Sequence, residues 1–257
     1  MPEEMNLAHK ERAENKISLF IPVYNMKNMI NRNIKMAFYT LTKSRYTFEI
    51  FIVDDNSTDK SSRYARVINR VSHNSSQSIR YLFYHQGPSR RENLARSFYQ
   101  ATGDIICFID ADLSCDISFL VKAIHLLRSS DVDIVIGSRY IEGARARRRL
   151  MRKALSFVYN SVIRMLFKSK IKDHQCGLKV FKKSTIMPII DTMGYDEKFS
   201  RGWFWDAELL IRAQKAGCKI IEMPVDWHYA DKSTFDFTRE LKCLKTMVKL
   251  KKELGVA

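Results

Sequence analysis

Blocks of strand-like pattern and blocks of helix-like pattern follow each other along this chain. Short apolar runs are followed by longer stretches in which apolar residues recur every three or four positions, the period of an amphipathic helix. These patterns predict strands at 17–23, 48–53, 79–84 and 104–109, and helices at 28–41, 58–71 and 91–101. The alternation predicts an α/β fold with a doubly wound, mostly parallel sheet, in which ligands bind outside the carboxyl ends of the strands.

The second half of the chain continues the alternation and is more basic. Its pattern predicts strands at 134–136 and 220–225, and helices at 118–128, 147–167, 205–216 and 237–254. The first 15 residues are charged and lack periodicity, so we interpret them as a loose tail. Because there is no internal repeat or Pro/Gly-rich linker, we expect one domain at 16–235, followed by a basic amphipathic helix at 236–257.

The predicted strand at 104–109 ends in Asp110-Ala111-Asp112. Two carboxylates spaced i, i+2 on an extended chain lie on the same side of it, here where the strand leaves the sheet. Such a pair can hold Mg²⁺ or Mn²⁺ and leave coordination positions for a nucleotide diphosphate. Taken alone, the pair is also typical of solvated turn acids. Asp54 and Asp55 follow the second predicted strand, however, and are expected in the same crevice.

Size and charge narrow the class of protein. The 257 residues, 46% of them hydrophobic, suffice for the core of one globular domain. A formal net charge of +16 predicts an anionic partner, which could be nucleic acid, an acidic membrane surface or a phosphorylated substrate. Arg147-Arg148-Arg149 suggests a nucleic-acid-binding module as one alternative. Since the chain has no RNA-recognition motif, zinc-finger spacing or basic zipper, we expect no nucleic-acid partner.

The cysteines and the amphipathic segments bear on location. The five cysteines form no CxxC pair and the amino terminus has no signal-peptide pattern, which favours a reducing, cytoplasmic location. No apolar stretch approaches the ~18–20 residues of a membrane span. We therefore expect the basic segments 147–167 and 237–254 to place the protein peripherally on the cytoplasmic face of an anionic membrane. Core packing with a solvated basic cap is the alternative for both.

Six motifs, in their order and spacing, resemble glycosyltransferase family 2. They are Pro22-Val23-Tyr24-Asn25, Asp54-Asp55-Asn56-Ser57, Gly103-Asp104, Asp110-Ala111-Asp112-Leu113-Ser114, Gly137-Ser138-Arg139-Tyr140 and Gln175-Cys176-Gly177. Within this family the chain is most similar to dolichyl-phosphate sugar synthases, particularly the dolichyl-phosphate glucosyltransferase branch and its archaeal relatives. The likeness covers residues 17 to about 233 and implies a GT-A fold.

The resemblance also implies an activity and a set of site residues. The activity is inverting transfer of a hexose from a nucleotide-diphosphate sugar, of the UDP-glucose or GDP-mannose type, to dolichyl or polyprenyl phosphate. The implied nucleotide-sugar contacts are Pro22, Tyr24, Val53, Asp54, Asp55, Asp110, Ala111 and Asp112. The implied ligands of Mg²⁺ or Mn²⁺ are Asp110, Asp112 and Ser114. The implied catalytic residues are Asp110, Asp112, Arg139 and Arg152, and the implied acceptor contacts are Arg139, Arg152, Gln175, Asp206, Glu208 and Lys232.

Three positions depart from the pattern of the family. Met26 stands where an acid is frequent, Ser89-Arg90-Arg91-Glu92 replaces a glycine-rich lysine segment, and Thr234 stands where many relatives have a lysine. These departures affect the base pocket and the late loop. His174 lies beside the last motif, and we interpret it as a loop histidine whose hydrogen bonds are satisfied by the protein.

The chemistry of the acceptor separates two enzymatic readings. A phosphate monoester, with a second pKa near ~6, is already largely anionic at neutral pH and needs cations around it rather than a strong general base. The stretch 139–153 supplies guanidinium groups for this purpose. We therefore expect that neither Asp173 nor Asp206 is an indispensable base. The alternative is a family 2 transferase that glycosylates a glycan or another soluble hydroxyl acceptor, which would need such a base.

Overall fold

The computed structural model describes residues 16–44, 46–61, 73–74, 77–146, 150–228 and 237–255. Ten strands occur in these residues: β1 (Lys16–Val23), β2 (Thr47–Asp54), β3 (His73–Asn74), β4 (Gln77–Phe83), β5 (Ile105–Phe108), β6 (Ile134–Ser138), β7 (Arg145–Ala146), β8 (Lys179–Lys182), β9 (Ile220–Pro224) and β10 (Asp226–Trp227). The main sheet has the order β3-β4-β2-β1-β5-β8-β6-β9, and β7 and β10 form a small parallel pair beside it.

The sheet is mostly parallel, as predicted. Parallel ladders join β1 to β2 and β5, β2 to β4, and β6 to β9. β8 runs antiparallel to both of its neighbours, β5 and β6, and the apolar pattern did not predict it. β8 escapes prediction because it has only four residues and because one of its fully buried positions is occupied by a charged residue, Lys179, which breaks the apolar run.

Seven α-helices flank the sheet in the described part of the chain: α1 (Ile30–Thr42), α2 (Glu92–Ser97), α3 (Ser118–Ser129), α4 (Leu150–Phe167), α5 (Lys183–Met193), α6 (Trp205–Lys215) and α7 (Phe237–Glu253). Six of them match predicted helices. α5 was not predicted and contains Pro188, a residue that normally argues against a helix interior. The rest of the predicted helix at 58–71, beyond Ser61, and the predicted tail at 1–15 lie outside the described residues.

The core has two layers because alternate residues of each strand point to opposite faces of the sheet. Leu19 and Ile21 of β1 pack on the side that α1 and α3 cover. Phe20, between them, packs on the side that α2, α5 and α6 cover, where its ring stacks on that of Phe51 with centroids 4.6 Å apart. Helices therefore cover both faces, as expected for a doubly wound sheet.

A third apolar cluster joins α4, α6 and α7 at one side of the domain. Ile163 and Phe167 of α4 pack there with Ala207 and Ile211 of α6 and with Met247 and Leu250 of α7. Only Asn160, Ile163 and Phe167 of the 18 residues of α4 are buried, so much of its apolar surface is exposed. None of the helices in the described residues has both the length and the hydropathy that a membrane span requires.

Candidate active site

The loop after β1 is joined to the loop after β2 at the carboxyl edge of the sheet. Pro22 lies opposite Val53 in the parallel register, so the two predicted pocket residues are neighbours. Beyond the strand ends, the Asn25 side chain accepts a hydrogen bond from the amide of Thr58 (2.8 Å), and Ser57 Oγ accepts one from the amide of Asn25 (3.0 Å). Tyr24 is 41% exposed beside this junction. The two loops that carry the predicted base-pocket residues are thus hydrogen-bonded to each other.

The buried carboxylate of Asp54 fixes the start of the second loop. One of its oxygens accepts the amide hydrogen of Ser57 (2.8 Å), and the other accepts the hydroxyl hydrogen of Tyr81 (2.7 Å). Both oxygens are therefore used within the protein. Asp54 therefore holds the backbone of the loop after β2, next to the predicted pocket residues.

Asp55 holds the segment 86–93 against the sheet edge. Its carboxylate accepts hydrogen bonds from the amide and hydroxyl of Ser89 (both 2.8 Å), the amide of Arg90 (3.0 Å) and the side-chain amide of Asn93 (2.6 Å). Gly87 lies so close that an added Cβ would be 2.6 Å from the carbonyl oxygen of Asp55. This segment is the one that departs from the family pattern, and Asp55 anchors it firmly.

Asp110 and Asp112 flank a tight turn at the end of β5. The carbonyl of Ala111, between them, accepts a hydrogen bond from the side-chain amide of Asn33 on α1 (2.7 Å), and Leu113 has a left-handed φ of 50°. Asp112 accepts the amide hydrogen of Ser114 (2.9 Å). Burial and the nearby Asp110 carboxylate raise the pKa of Asp112, because both disfavour a second negative charge there.

The pair is suited to a divalent cation. Its two carboxylates are hard oxygen donors that repel each other, and a cation between them would relieve that repulsion. Asp110 is 39% exposed toward the crevice, and Gly177 makes room for it, since an added Cβ there would be 1.9 Å from Asp110 Oδ2. Among the described residues, no three His, Cys, Asp or Glu side chains are placed together so that they could hold a metal ion. A cation held by this pair would therefore need further oxygen ligands from a substrate or water.

Two buried cations, neither assigned from the sequence, neutralise the acids at the floor of the crevice. Arg91 donates from Nη2 to Asp110 Oδ1 (2.8 Å) and from Nε to Asp206 Oδ2 (3.0 Å). Lys179 donates from Nζ to Asp206 Oδ1 (2.8 Å) and to the carbonyl oxygen of Cys176 (2.7 Å). Burial alone would raise the pKa of Asp206, but the charges of Arg91 and Lys179 outweigh it and lower that pKa.

Arg139 forms a buried ion pair with Asp173. Its Nε and Nη2 donate to the two carboxylate oxygens (2.6 and 2.8 Å), and its backbone amide donates to one of them (3.0 Å). Burial raises the pKa of Asp173, yet the adjacent guanidinium outweighs this effect and lowers it. The sequence assigned Arg139 to the substrate phosphates, whereas here its guanidinium fork is occupied by a carboxylate of the protein.

The remaining candidate residues are dispersed. Gln175 is half-buried next to Asp173, and Arg152 lies partly exposed on α4. Glu208 points away from Asp206 and pairs with Arg201 (3.2 Å) and Arg212 (2.9 Å). Lys232, together with Thr234, lies outside the described residues.

His174 is satisfied by the protein, as the sequence suggested. Its ring nitrogens contact Asn160 and Ser169, each at 2.9 Å. Burial lowers its pKa to about 4, so the ring is neutral at physiological pH.

The sequence model of glycosyl transferase family 2 matches residues 18–188, about two thirds of the chain. The chain therefore belongs to this family. The match includes the strand ends that carry Asp54, Asp55, Asp110 and Asp112, and also the buried pair of Arg139 and Asp173. The family that the motifs suggested is thus confirmed.

Individual relatives resemble the chain over most of its length. It is 30% identical over 244 residues to glycosyltransferase AglD of Haloferax volcanii, covering 93% of this chain and 37% of that protein. It is 29% identical over 241 residues to a dolichyl-phosphate beta-glucosyltransferase of Saccharomyces cerevisiae, covering 88% of this chain and 70% of that protein. The chain thus spans little more than a third of the archaeal relative.

Solved structures confirm the GT-A fold. Glucosyl-3-phosphoglycerate synthase of Mycobacterium tuberculosis in complex with UDP aligns with a TM-score of 0.68 and 16% identity, covering 95% of this chain and 82% of that one. The same enzyme in complex with Mn²⁺, UDP and glucosyl-3-phosphoglycerate aligns with a TM-score of 0.65. At this identity, the comparison establishes the shared fold.

The Arg139–Asp173 pair allows a stability test. We expect Asp173→Ala to lower the free energy of unfolding by about 3–5 kcal/mol, because Arg139 would remain buried without its carboxylate. Urea unfolding measures this change. The matched control is Asp131→Ala, which breaks a fully exposed pair with Lys219 and should leave the unfolding midpoint unchanged. A small effect of Asp173→Ala would mean that Arg139 is free to leave the pair for a ligand.

Proposed function

We propose that this chain is a metal-dependent, inverting glycosyltransferase that moves a hexose from a nucleotide-diphosphate sugar to dolichyl or polyprenyl phosphate. The relatives named dolichyl-phosphate beta-glucosyltransferase support the acceptor and the sugar. The neighbouring structures that contain UDP with Mn²⁺ or Mg²⁺ support the donor and the metal. The observation that carries the proposal is the neutralisation of Asp206 by Arg91 and Lys179.

The donor binds at the carboxyl edge of β1, β2 and β5. Pro22, Tyr24 and Val53 line the base and ribose pocket, and Asp54 and Asp55 fix its loops. A UDP sugar is favoured over a GDP sugar by the UDP complexes of the neighbouring structures.

Asp110 and Asp112, with Ser114 beside them, would hold Mg²⁺ or Mn²⁺. When bound, the cation would supply Lewis-acid stabilisation of the charge on the departing nucleotide. The chain's own part is to place the two carboxylates, which it does through the bonds from Asn33 to Ala111 and from Ser114 to Asp112.

The acceptor is an anion before it enters the site. A hydroxyl acceptor would need a carboxylate that can take its proton, but both oxygens of Asp206 accept hydrogen bonds from cations and its pKa is lowered. A carboxylate in that state is a poor base. A phosphate monoester needs no such base, and its repulsion from the donor diphosphate is offset by the cations of the crevice and by the net charge of +16.

The position of the exposed apolar surface agrees with a lipid-linked acceptor. Leu150, Met151 and Phe157 of α4 are 84%, 73% and 61% exposed, and Val248 of α7 is 55% exposed. Basic residues of both helices, among them Lys153 and Lys249, lie on the same elements. We infer that this side of the domain lies on the cytoplasmic face of a membrane that contains anionic lipids.

A link runs from this surface to the crevice. Trp203, which is 40% exposed, contacts α4 through its carbonyl oxygen, to which the Tyr159 hydroxyl donates (3.5 Å). The guanidinium of Arg90 lies 4.8 Å from the centre of the Trp203 ring. Arg90 precedes Arg91, so the apolar surface and the floor of the crevice are a few side chains apart. A lipid phosphate could therefore reach the donor while its hydrocarbon chain stays in the membrane.

The first test concerns the metal pair. We expect Asp112→Ala to lower kcat/KM for transfer by at least ~100-fold, because the charge on the departing diphosphate loses its stabilising metal. The assay combines Mn²⁺ or Mg²⁺, polyprenyl phosphate and a panel of nucleotide sugars, and measures lipid-extractable product. Asp116→Asn is the control, since Asp116 follows on the same loop but is exposed and accepts the amide of Ser118. Full activity of Asp112→Ala would contradict the proposal.

The second test concerns the expectation that Asp206 does not act as a general base. We expect Asp206→Asn to lower the thermal midpoint, because Arg91 and Lys179 lose a charged partner, while kcat of the folded enzyme stays within ~10-fold. Loss of a general base would instead cost ~10²–10⁴-fold. Single-turnover transfer to polyprenyl phosphate, with donor and acceptor binding measured separately, decides between them. A loss of turnover with both bindings intact would show that Asp206 acts as a base and would contradict this part of the proposal.

The third test concerns the membrane surface. We expect the double variant Met151→Glu, Phe157→Glu to lose flotation with phosphatidylserine/phosphatidylcholine vesicles at low salt, since its α4 can no longer bury apolar side chains among the lipids. Tyr39→Glu, at a 61% exposed position of α1, should float as the wild type does. Transfer to a short, detergent-solubilised polyprenyl phosphate should persist in both. Unchanged flotation of the double variant would show that α4 does not bind the membrane.

A further inference from the structure

Arg91 contacts the Asp110–Asp112 pair through Asp110 and bridges two acids from different parts of the chain. Its two donating nitrogens reach Asp110 on the β5 turn and Asp206 at the start of α6, at 2.8 and 3.0 Å. Its guanidinium also lies 4.9 Å from the ring centre of Phe108. The Arg91 side chain is 9% exposed and Asp206 is 4% exposed, so this half of the bridge is shielded from water, whereas Asp110 is 39% exposed.

The arrangement leaves Arg91 little freedom to move away. The backbone of its segment is held by the Asp55 carboxylate through Ser89 and Arg90. Its far contact, Asp206, is in turn held by Lys179. Because both anchors are internal, the bond to Asp110 persists unless Asp110 itself turns.

The charges at this place are nearly balanced before any ligand binds. Three carboxylates, Asp110, Asp112 and Asp206, face two buried cations, Arg91 and Lys179. One oxygen of Asp110 is already hydrogen-bonded to Arg91, which reduces its attraction for a second cation. A divalent ion arriving alone finds two protein carboxylates, one of them already paired. An ion that arrives on a diphosphate brings additional oxygen ligands and negative charge.

We propose that Arg91 is a positioning residue that weakens the Asp110–Asp112 site for a free divalent cation, so that the metal is bound together with the nucleotide diphosphate. The proposal rests on the donor and metal of the proposed function. It adds that this chain's metal affinity is set by a buried arginine that holds one oxygen of Asp110.

The test measures Mn²⁺ binding to the full chain by electron paramagnetic resonance, with no nucleotide, with UDP and with GDP. For the wild type, we expect Mn²⁺ to bind at least ~10-fold more tightly in the presence of the fitting nucleotide, after correction for Mn²⁺ bound by the nucleotide alone. For Arg91→Gln, we expect nucleotide-free Mn²⁺ binding to tighten by ~10-fold, because Asp110 loses its internal cation.

Two further variants separate this role from a purely structural one. Arg91→Lys keeps the charge and should behave more like the wild type than like Arg91→Gln. Arg96→Gln changes an arginine on α2, the helix that follows Arg91; it pairs with the exposed Glu197, and its loss should leave Mn²⁺ binding unchanged. Circular dichroism and thermal unfolding establish that each variant is folded.

Two results would overturn the inference. One is wild-type Mn²⁺ affinity that is the same with and without nucleotide, which needs no variant to fold. The other is a folded Arg91→Gln protein with wild-type, nucleotide-free affinity. If sugar transfer proceeds but nucleotide and metal bind independently, only this inference fails. If nucleotide and metal bind together but no nucleotide sugar supports transfer to polyprenyl phosphate, the proposed function fails instead.

Discussion

The site depends on bringing several carboxylates together at one edge of the sheet without leaving their charges unbalanced. Parallel strands send their carboxyl ends to the same edge, so Asp54, Asp55, Asp110 and Asp112 converge there, and the start of α6 adds Asp206. Like charges at close range in a partly buried site are costly. Backbone amides and hydroxyl groups donate hydrogen bonds to Asp54 and Asp55, and buried cations pair with Asp110 and Asp206.

This division explains which part of the edge is free for a ligand. Asp54 and Asp55 use their oxygens to shape loops, and Asp206 is neutralised on both sides. Asp110 is paired through one oxygen and is partly exposed. Asp112 carries a raised pKa because of its burial and its neighbour. The least compensated negative charge therefore lies on the Asp110–Asp112 pair, which is where a cation gains most by binding.

Sequence periodicity predicted most of the fold because it reports which residues face the core. It could not predict β8, because a lysine in the sequence indicates a surface position. Lys179 is buried only because it pairs with Asp206, which lies 27 positions later in the chain. Arg91 was visible only as a departure from a motif, because its partners lie 19 and 115 positions away. Strand-end acids were predictable from local pattern, whereas the cations that balance them come from long-range packing.

The sequence also could not show which way the residues assigned to the acceptor point or which groups they pair with. Asp206 and Glu208 are two positions apart on α6, and helical residues at that spacing do not share a face. Accordingly, Asp206 points to the crevice while Glu208 pairs with Arg201 and Arg212. Arg139 shows why residue type alone is ambiguous, since the guanidinium fork that suits a phosphate suits a carboxylate equally well.

Because the guanidinium of Arg139 pairs with Asp173, an acceptor phosphate would have to interact with cations nearer the surface. These cations are Arg90, which lies on the Trp203 ring, and the basic residues of α4, which are close to the exposed Leu150, Met151 and Phe157. Cations and apolar side chains on one surface suit a molecule that is anionic at one end and hydrocarbon at the other. The hydroxyl group of a free sugar would contact neither the cations nor the apolar side chains, whereas a lipid phosphate would contact both. A phosphate acceptor also has no proton that must be removed, so Asp206, whose charge is balanced by Arg91 and Lys179, is not needed as a base.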